Sequence, residues 1–123
     1  MNDKLPLSGL RVLVVEDAFL IAMDLCDQLK DAGCEVIGPA ATVKQALEQI
    51  NGASLDGAVL DINLAGERSF PIAQLLTSRG VPFLFLSGYD SAAVIPDEFA
   101  QAPRLTKPVD IATLGRTLAL FRR

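Results

Sequence analysis

The stretch Leu-Arg-Val-Leu-Val-Val-Glu-Asp, residues 10–17, decides the fold of this chain. Its apolar run, Leu10–Val15, is short and rich in β-branched residues, a pattern typical of strands that are buried on both faces of a sheet. The acidic pair Glu16 and Asp17 follows at once. The stretch therefore predicts a buried strand that brings two carboxylates to one edge of a sheet.

Further apolar runs alternate with helical patterns along the 123 residues. Such alternation is typical of an α/β fold with a parallel sheet. The later predicted strands are Glu35–Gly38, Gly57–Leu60, Val81–Leu86 and Arg104–Thr106. We therefore expect one domain with five strands, spanning residues 1–123 and followed by no output domain.

Apolar residues at helical spacing predict four helices in this alternation. The stripes are Ile21, Leu25 and Leu29; Val43, Ala46, Leu47 and Ile50; Ile72, Leu75 and Leu76; and Ile111, Leu114, Leu118 and Phe121. Gly33 can end the first helix in a left-handed conformation, and Thr42 with Gln45 forms a capping-box pattern at the start of the second. The third helix is predicted over 69–79, and the last is predicted to begin at Asp110.

The segment 88–103, between the fourth and fifth strands, shows no such stripe. It contains Pro96 and Pro103, which disfavour a regular helix. We expect a short turn or a mobile segment, and with it an irregular or short fourth helix. Because it follows Ser87, it is also the predicted output surface, with Val94, Ile95 and Phe99 packing inward or meeting a partner.

Composition excludes several classes of function. The chain has no histidine, so imidazole catalysis and histidine metal ligation are excluded. Its net charge of −4 argues against binding to nucleic-acid phosphates. It has neither an apolar stretch near the ~18–20 residues that span a bilayer nor a secretory signal, so we expect a cytoplasmic protein without membrane contact. Cys26 and Cys34 are interpreted as small core residues rather than a disulfide.

Polar side chains follow four of the predicted strands: Glu16, Asp17, Asp61, Ser87 and Lys107. Ligands of open α/β sheets bind outside the carboxyl ends of the strands, so these groups should converge. Each alone has an ordinary explanation as a cap, a turn residue or a solvated charge. Together they predict a functional site.

The charges of this site indicate its ligand. Three carboxylates and one ammonium leave a net charge of about −2, and two like charges ~4 Å apart repel by about 4 kcal/mol at an effective dielectric of 20. A divalent cation relieves that repulsion, and oxygen ligands suit Mg²⁺ or Mn²⁺ with open positions for phosphate oxygens. Asp61 could then act as a nucleophile, with Lys107 and Ser87 contacting phosphoryl oxygens.

These residues resemble the response-regulator receiver family over nearly the whole chain. The matching motifs are the acidic pair after Val-Leu-Val-Val, the aspartate of Leu-Asp-Ile-Asn-Leu at 60–64, the hydroxyl of Ser87 and the pair Lys107-Pro108. The resemblance implies a flavodoxin-like, doubly wound sheet with strand order 2-1-3-4-5. It also implies a cis Lys107-Pro108 bond and a metal contact from the backbone carbonyl of Asn63.

The resemblance further implies a single-domain regulator of a two-component phosphorelay. Asp61 would accept a phosphoryl group, with Mg²⁺, from a histidine kinase or a histidine phosphotransfer protein. The protein would then signal to a downstream protein target through phosphorylation-controlled contacts, or act as a phosphate sink. It would catalyse only its own phosphorylation and dephosphorylation.

More narrowly, Phe-Leu-Ser-Gly-Tyr at 85–89 is similar to the motif of the FATGUY receivers of alphaproteobacteria, which are often stand-alone regulators. Most receivers have an aromatic switch residue where this chain has Arg104, so switching by that route is not expected. Ser87 keeps the hydroxyl of the usual threonine. Tyr89 could share the switch role with Ser87 or could cover the sheet edge.

Two other classes of protein compete with this prediction. A phosphatase of the haloacid dehalogenase type also uses an aspartate nucleophile and Mg²⁺, but it needs a second aspartate two residues later, where this chain has Asn63. A pseudo-receiver would bind partners without being phosphorylated. It is disfavoured because the residues for phosphoryl transfer are all present.

Overall fold

The computed structural model describes residues 7–88 and 95–121, and it contains one parallel sheet with a small separate hairpin. The strands of the sheet are Arg11–Val15 (β1), Glu35–Ala40 (β2), Gly57–Asp61 (β3), Phe83–Ser87 (β6) and Arg104–Thr106 (β7). The hairpin pairs Asn63–Leu64 (β4) with Glu67–Arg68 (β5) in antiparallel register. The order β2-β1-β3-β6-β7 confirms the predicted 2-1-3-4-5 arrangement, since β6 and β7 are the fourth and fifth strands of the sheet.

Within the described parts of the chain, four α-helices connect or follow the strands: Phe19–Asp31 (α1), Val43–Asn51 (α2), Phe70–Ser78 (α3) and Ile111–Ala119 (α4). Between β6 and β7 the described residues form only a 3₁₀ helix, Asp97–Phe99, which confirms the predicted short fourth helix for that part of the chain. Tyr89 and Val94, named in the prediction for this segment, lie outside the described residues. Among the described residues, no helix has the length and apolarity needed to cross a membrane.

The sheet is buried on both faces. Leu13 and Val15 of β1 point into a core with α2 and α3, whereas Val12 and Val14 point into a second core with α1 and α4. This alternation follows from the two-residue period of a strand. Each fully buried Val or Leu side chain contributes about 1.5–3 kcal/mol, so the two cores fix the sheet and its carboxyl edge firmly.

The prediction for α1 is wrong at one residue of the apolar stripe, Ile21. Ile21 is 48% exposed, while the buried stripe consists of Ala22, Leu25, Cys26 and Leu29. At 100° per residue, Ile21 lies about 90° around the helix from the centre of that stripe. The apolar residues at the start of α1 are therefore too numerous for all of them to face the core.

The ends of the helices largely agree with the sequence prediction. Gly33 has φ 102° after α1, the left-handed conformation expected there. Thr42 Oγ1 accepts from the backbone N–H of Gln45 at 3.1 Å, as a capping box requires. The Gln45 side chain, however, accepts from the N–H of Ala41 rather than that of Thr42.

The two cysteines behave as predicted. Cys26 and Cys34 are both free and buried in the core beside α1. Burial raises the pKa of the Cys26 thiol above its ordinary value, opposed by the charge of Lys30. The thiol therefore stays protonated and packs as a small apolar group.

Candidate functional site

The carboxyl ends of the strands place the predicted polar residues at one edge of the sheet. Glu16 and Asp17 follow the end of β1, Asp61 and Ser87 are the last residues of β3 and β6, and Lys107 follows β7. The strand registers align these ends, because Asp61 lies opposite Leu86 in the neighbouring strand. The convergence expected from the sequence is thus present.

Three carboxylates form the acidic part of the site. Glu16, Asp17 and Asp61 each offer an oxygen within 4.8 Å of the others. Glu16 and Asp61 are only 2% and 6% exposed, whereas Asp17 faces solvent. The cluster is therefore accessible from the side of Asp17.

Backbone amides hold two of these carboxylates in place. Glu16 Oε2 accepts from the N–H of Ala18 at 3.1 Å, at the start of α1. Asp17 Oδ2 accepts from the N–H of Ala65 at 2.9 Å, in the turn of the β4–β5 hairpin. The hairpin thus fixes the exposed carboxylate next to the buried pair.

Lys107 joins the two buried carboxylates. Its Nζ lies 2.5 Å from Glu16 Oε1 and 2.9 Å from Asp61 Oδ2. Burial would lower the pKa of Lys107, but the hydrogen bonds from its ammonium to Glu16 and Asp61, together with their negative charges, outweigh burial and raise it. The side chain therefore stays a cation at neutral pH. The Lys107-Pro108 bond is cis, as predicted.

The composition of this cluster fits a hard divalent cation. Three carboxylates surround one ammonium, so negative charge is in excess, and each of the three presents an oxygen toward the others. Carboxylate oxygens with an open, solvent-facing side are the ligands that Mg²⁺ prefers in proteins. The site thus meets the chemical requirements of the predicted magnesium ion.

Ser87 lies beside this cluster and is 4% exposed. Its carbonyl accepts from the N–H of Lys107 at 2.8 Å, which links the end of β6 to the lysine. Its Oγ accepts from Arg104 Nε at 3.4 Å. The backbone of Ser87 is therefore linked to the lysine of the site, and its hydroxyl is in contact with a cation of the next strand.

The predicted roles of two site residues, Asn63 and Tyr89, stay predictions. Asn63 is exposed and opens the β4–β5 hairpin, where it pairs with Arg68. It stands two residues after Asp61, in the hairpin that also contacts Asp17. Tyr89 lies outside the described residues, so its switch role stays a prediction.

Sequence reasoning missed the hairpin and its contact with Asp17. Leu-Ala-Gly-Glu at 64–67 contains a signal, since a glycine in a two-residue loop is typical of tight hairpins. Ala65 and Gly66 both have positive φ, as such a turn requires. The donor to Asp17 is a backbone N–H, however, and no residue type at position 65 could have revealed it.

Comparison with known proteins identifies the family. The sequence pattern that defines the response regulator receiver domain matches residues 12–119. This chain belongs to that family, and it is thus a receiver domain homologous to the response regulators of two-component systems.

Solved structures of receivers from alphaproteobacteria resemble it along most of its length. SdrG from Sphingomonas melonis Fr1 is 36% identical, with a TM-score of 0.80 over 91% of this chain and 95% of that one. The BeF3-activated conformation of SdrG has a TM-score of 0.74 at 33% identity, covering 98% and 100% of the two chains. The receiver domain of PhyR from Erythrobacter litoralis is 28% identical, with a TM-score of 0.76 over 95% of this chain and 94% of that one.

Among curated proteins, the sensory transduction protein LytT of Bacillus subtilis is 32% identical over 117 residues. The match covers 93% of this chain but only 48% of LytT. The chain thus spans about half the length of the curated relatives it matches.

Proposed function

We propose that this receiver accepts a phosphoryl group on Asp61 from a phosphohistidine of a histidine kinase or a histidine phosphotransfer protein. Receivers as a family take phosphoryl groups from such donors. The observation that favours Asp61 is the 2.9 Å contact of its Oδ2 with Lys107 Nζ inside a cluster of three carboxylates. A carboxylate next to a fixed ammonium is held in one orientation, as a nucleophile must be.

The transfer forms one bond and breaks another. An oxygen of the Asp61 carboxylate bonds to phosphorus while the phosphorus–nitrogen bond of the donor breaks. The imidazole leaves with the electron pair of that bond and takes up a proton from solvent. The product is an aspartyl phosphate, with no oxidation or reduction.

The other site residues stabilise the phosphoryl oxygens. Glu16, Asp17 and Asp61 would hold Mg²⁺ or Mn²⁺, with the Asn63 carbonyl as a further ligand, and the ion would neutralise charge on the phosphoryl oxygens. Lys107 pairs with a second phosphoryl oxygen, and the Ser87 hydroxyl donates to a third. The exposed side of the cluster, at Asp17, is the path by which the donor reaches Asp61.

The receiver domain of response regulators is a signalling domain, and we propose that the output of this one follows from its phosphorylation state. We propose that it catalyses only its own phosphorylation and dephosphorylation. Its output would be contact with a downstream protein or drainage of phosphate from its kinase. The cytoplasmic location stays a prediction.

Incubation with Mg²⁺ and acetyl phosphate, followed by intact-mass measurement, tests this function. We expect a mass gain of one phosphoryl group in the wild type, and no gain in Asp61→Asn or in the presence of excess EDTA. Asp31→Asn is the matched control, because this exposed aspartate ends α1 at the opposite edge of the sheet. Release of phosphate without a stable mass gain would instead favour a phosphatase, and no reaction would favour a pseudo-receiver.

A further inference from the structure

Ser87 lies between the strand that contains the phosphoacceptor and the strand that contains Arg104. In the sheet order, β6 lies between β3 and β7. Neighbouring strands are about 4.8 Å apart. A Ser87 hydroxyl that is turned toward one of these strands is therefore turned away from the other.

In this structure the hydroxyl is turned toward β7. Arg104 Nε lies 3.4 Å from Ser87 Oγ. Arg104 is opposite Phe85 in the strand pairing, so Phe85, Ser87 and Arg104 share one face of the sheet. A contact at this distance is at the long end of the hydrogen-bond range, so it is weak and reversible.

We propose that Arg104 restrains the Ser87 hydroxyl in the unphosphorylated protein and releases it when a phosphoryl group forms on Asp61. The inference rests on the proposed function of Asp61. Serine has three staggered rotamers and no branch at Cβ, so a weak contact is enough to bias its side chain. Rotation toward β3 breaks the contact with Arg104 and lets the hydroxyl donate its proton to a phosphoryl oxygen.

The release also gives the phosphorylation state a route to the surface. Ser87 is buried, whereas Arg104 is exposed on the edge strand β7. Loss of the contact with Ser87 therefore changes the set of contacts that the Arg104 side chain makes on that exposed edge. Arg104 thus acts as a positioning residue at the position where most receivers have an aromatic switch residue.

Removing Arg104 has two effects of opposite sign on an anionic ligand at Asp61. Loss of a positive charge weakens binding of the anion, since opposite charges attract. Loss of the restraint strengthens binding, because the hydroxyl no longer has to leave a partner. A net gain in affinity therefore identifies the restraint.

The test is a titration of the protein with beryllofluoride in the presence of Mg²⁺. Binding is monitored through the NMR signal of the Lys107 backbone amide. We expect Arg104→Met to bind about two- to tenfold more tightly than the wild type, as loss of one net hydrogen bond predicts. Arg116→Met, which removes an exposed charge from α4, should not change the affinity. In a Ser87→Ala background, the same Arg104 substitution should give no gain, because the hydroxyl is gone.

An effect of Arg104→Met on affinity that is the same with and without the Ser87 hydroxyl would overturn the restraint, because loss of the charge alone acts equally in both backgrounds. If Arg104→Met does not fold, as judged by circular dichroism, Arg104→Leu repeats the test with the same expected sign, because leucine also lacks a donor to Ser87. Failure of the wild type to bind beryllofluoride would contradict the phosphoacceptor site itself. The two failures are therefore distinguishable.

Discussion

The ammonium of Lys107 lies 2.9 Å from Asp61 Oδ2. Asp61 ends β3 and Lys107 follows β7, and β6 lies between these two strands in the sheet. The lysine therefore reaches across the end of a strand to reach the phosphoacceptor. The same Nζ also contacts the buried Glu16 carboxylate. One side chain thus neutralises charge in a part of the edge where two carboxylates are buried together.

Lys107→Met should therefore destabilise the protein in the absence of divalent ions. Loss of the cation leaves Glu16 and Asp61 as unpaired, mostly buried charges, and we expect the free energy of unfolding to fall by about 2–4 kcal/mol. Added Mg²⁺ should stabilise this variant more than the wild type, because the uncompensated site binds the ion more tightly. Urea denaturation with and without Mg²⁺ measures both effects.

Lys44→Met is the matched control, since Lys44 is exposed on α2 and forms no ion pair among the described residues. It should change neither the stability nor the response to Mg²⁺. A Lys107 variant as stable as the wild type in EDTA would show that the buried carboxylates do not depend on this ion pair.

Asp17→Asn should weaken Mg²⁺ binding by roughly tenfold, equivalent to about 1.4 kcal/mol. The amide removes one of the three charges in the cluster but can still accept the hydrogen bond from Ala65 N–H, so the fold is unaffected. Isothermal titration of Mg²⁺ gives the affinity, with Asp31→Asn as the comparison. Equal affinities in all three proteins would exclude Asp17 as a ligand.

Gly38→Ala should destabilise the protein more than Gly9→Ala. Both glycines have positive φ, 102° and 84°, so both alanines are strained by about 1 kcal/mol. A Cβ at Gly38 would also lie 2.8 Å from the carbonyl oxygen of Val14, whereas a Cβ at Gly9 meets nothing within 4 Å. We expect an additional cost of about 1–3 kcal/mol at Gly38 by chemical denaturation. Equal costs would show that β2 shifts to accommodate the methyl group.

The contribution of the Asp110 side chain to the stability of the protein should depend on pH. Its carboxylate caps α4 by accepting from the N–H of Thr113 at 2.7 Å, and this bond lowers the pKa of Asp110. A carboxyl group whose pKa is lower in the folded than in the unfolded state stabilises the fold when the pH is above the unfolded-state pKa. That contribution is lost as the pH falls through the folded-state pKa. The melting temperature of Asp110→Ala should thus be below that of the wild type near neutral pH. The difference should shrink as the pH falls below 3.8, the ordinary value of this carboxyl group.

A difference that stayed constant or grew on acidification would contradict the assignment of this cap. Asp110→Asn is the matched variant, because asparagine is an equally good N-cap without a titrating charge. It should keep most of the stability and show a weaker dependence on pH.

The sequence predicted the strands and the polar residues at their carboxyl ends because both depend on local patterns, whereas the predicted strand order came from the resemblance to receivers. Buried strands show as apolar runs, and polar residues directly after such runs must lie at the carboxyl edge of a parallel sheet. Glu16, Asp61 and Lys107 were found in this way before their distances were known.

Contacts that depend on orientation were not predictable. Whether Ile21 faces the core depends on the rotation of α1 against the sheet, and Ala22 and Cys26 join Leu25 and Leu29 in the buried stripe instead. The contact of Arg104 with Ser87 joins residues 17 positions apart and depends on two side-chain rotamers. The roles of Asn63 and Tyr89 stay predictions that rest on resemblance.

The most direct test of the central claim locates the phosphoryl group on the chain. Borohydride reduces an acyl phosphate to an alcohol, so an aspartyl phosphate leaves homoserine at the modified position. After reaction with acetyl phosphate and Mg²⁺, reduction and peptide sequencing by mass spectrometry, we expect homoserine at Asp61 and only in the presence of the ion. Homoserine at Asp17 or Asp56 in place of Asp61, or an unmodified Asp61 in a protein that has gained a phosphoryl group, would contradict the account.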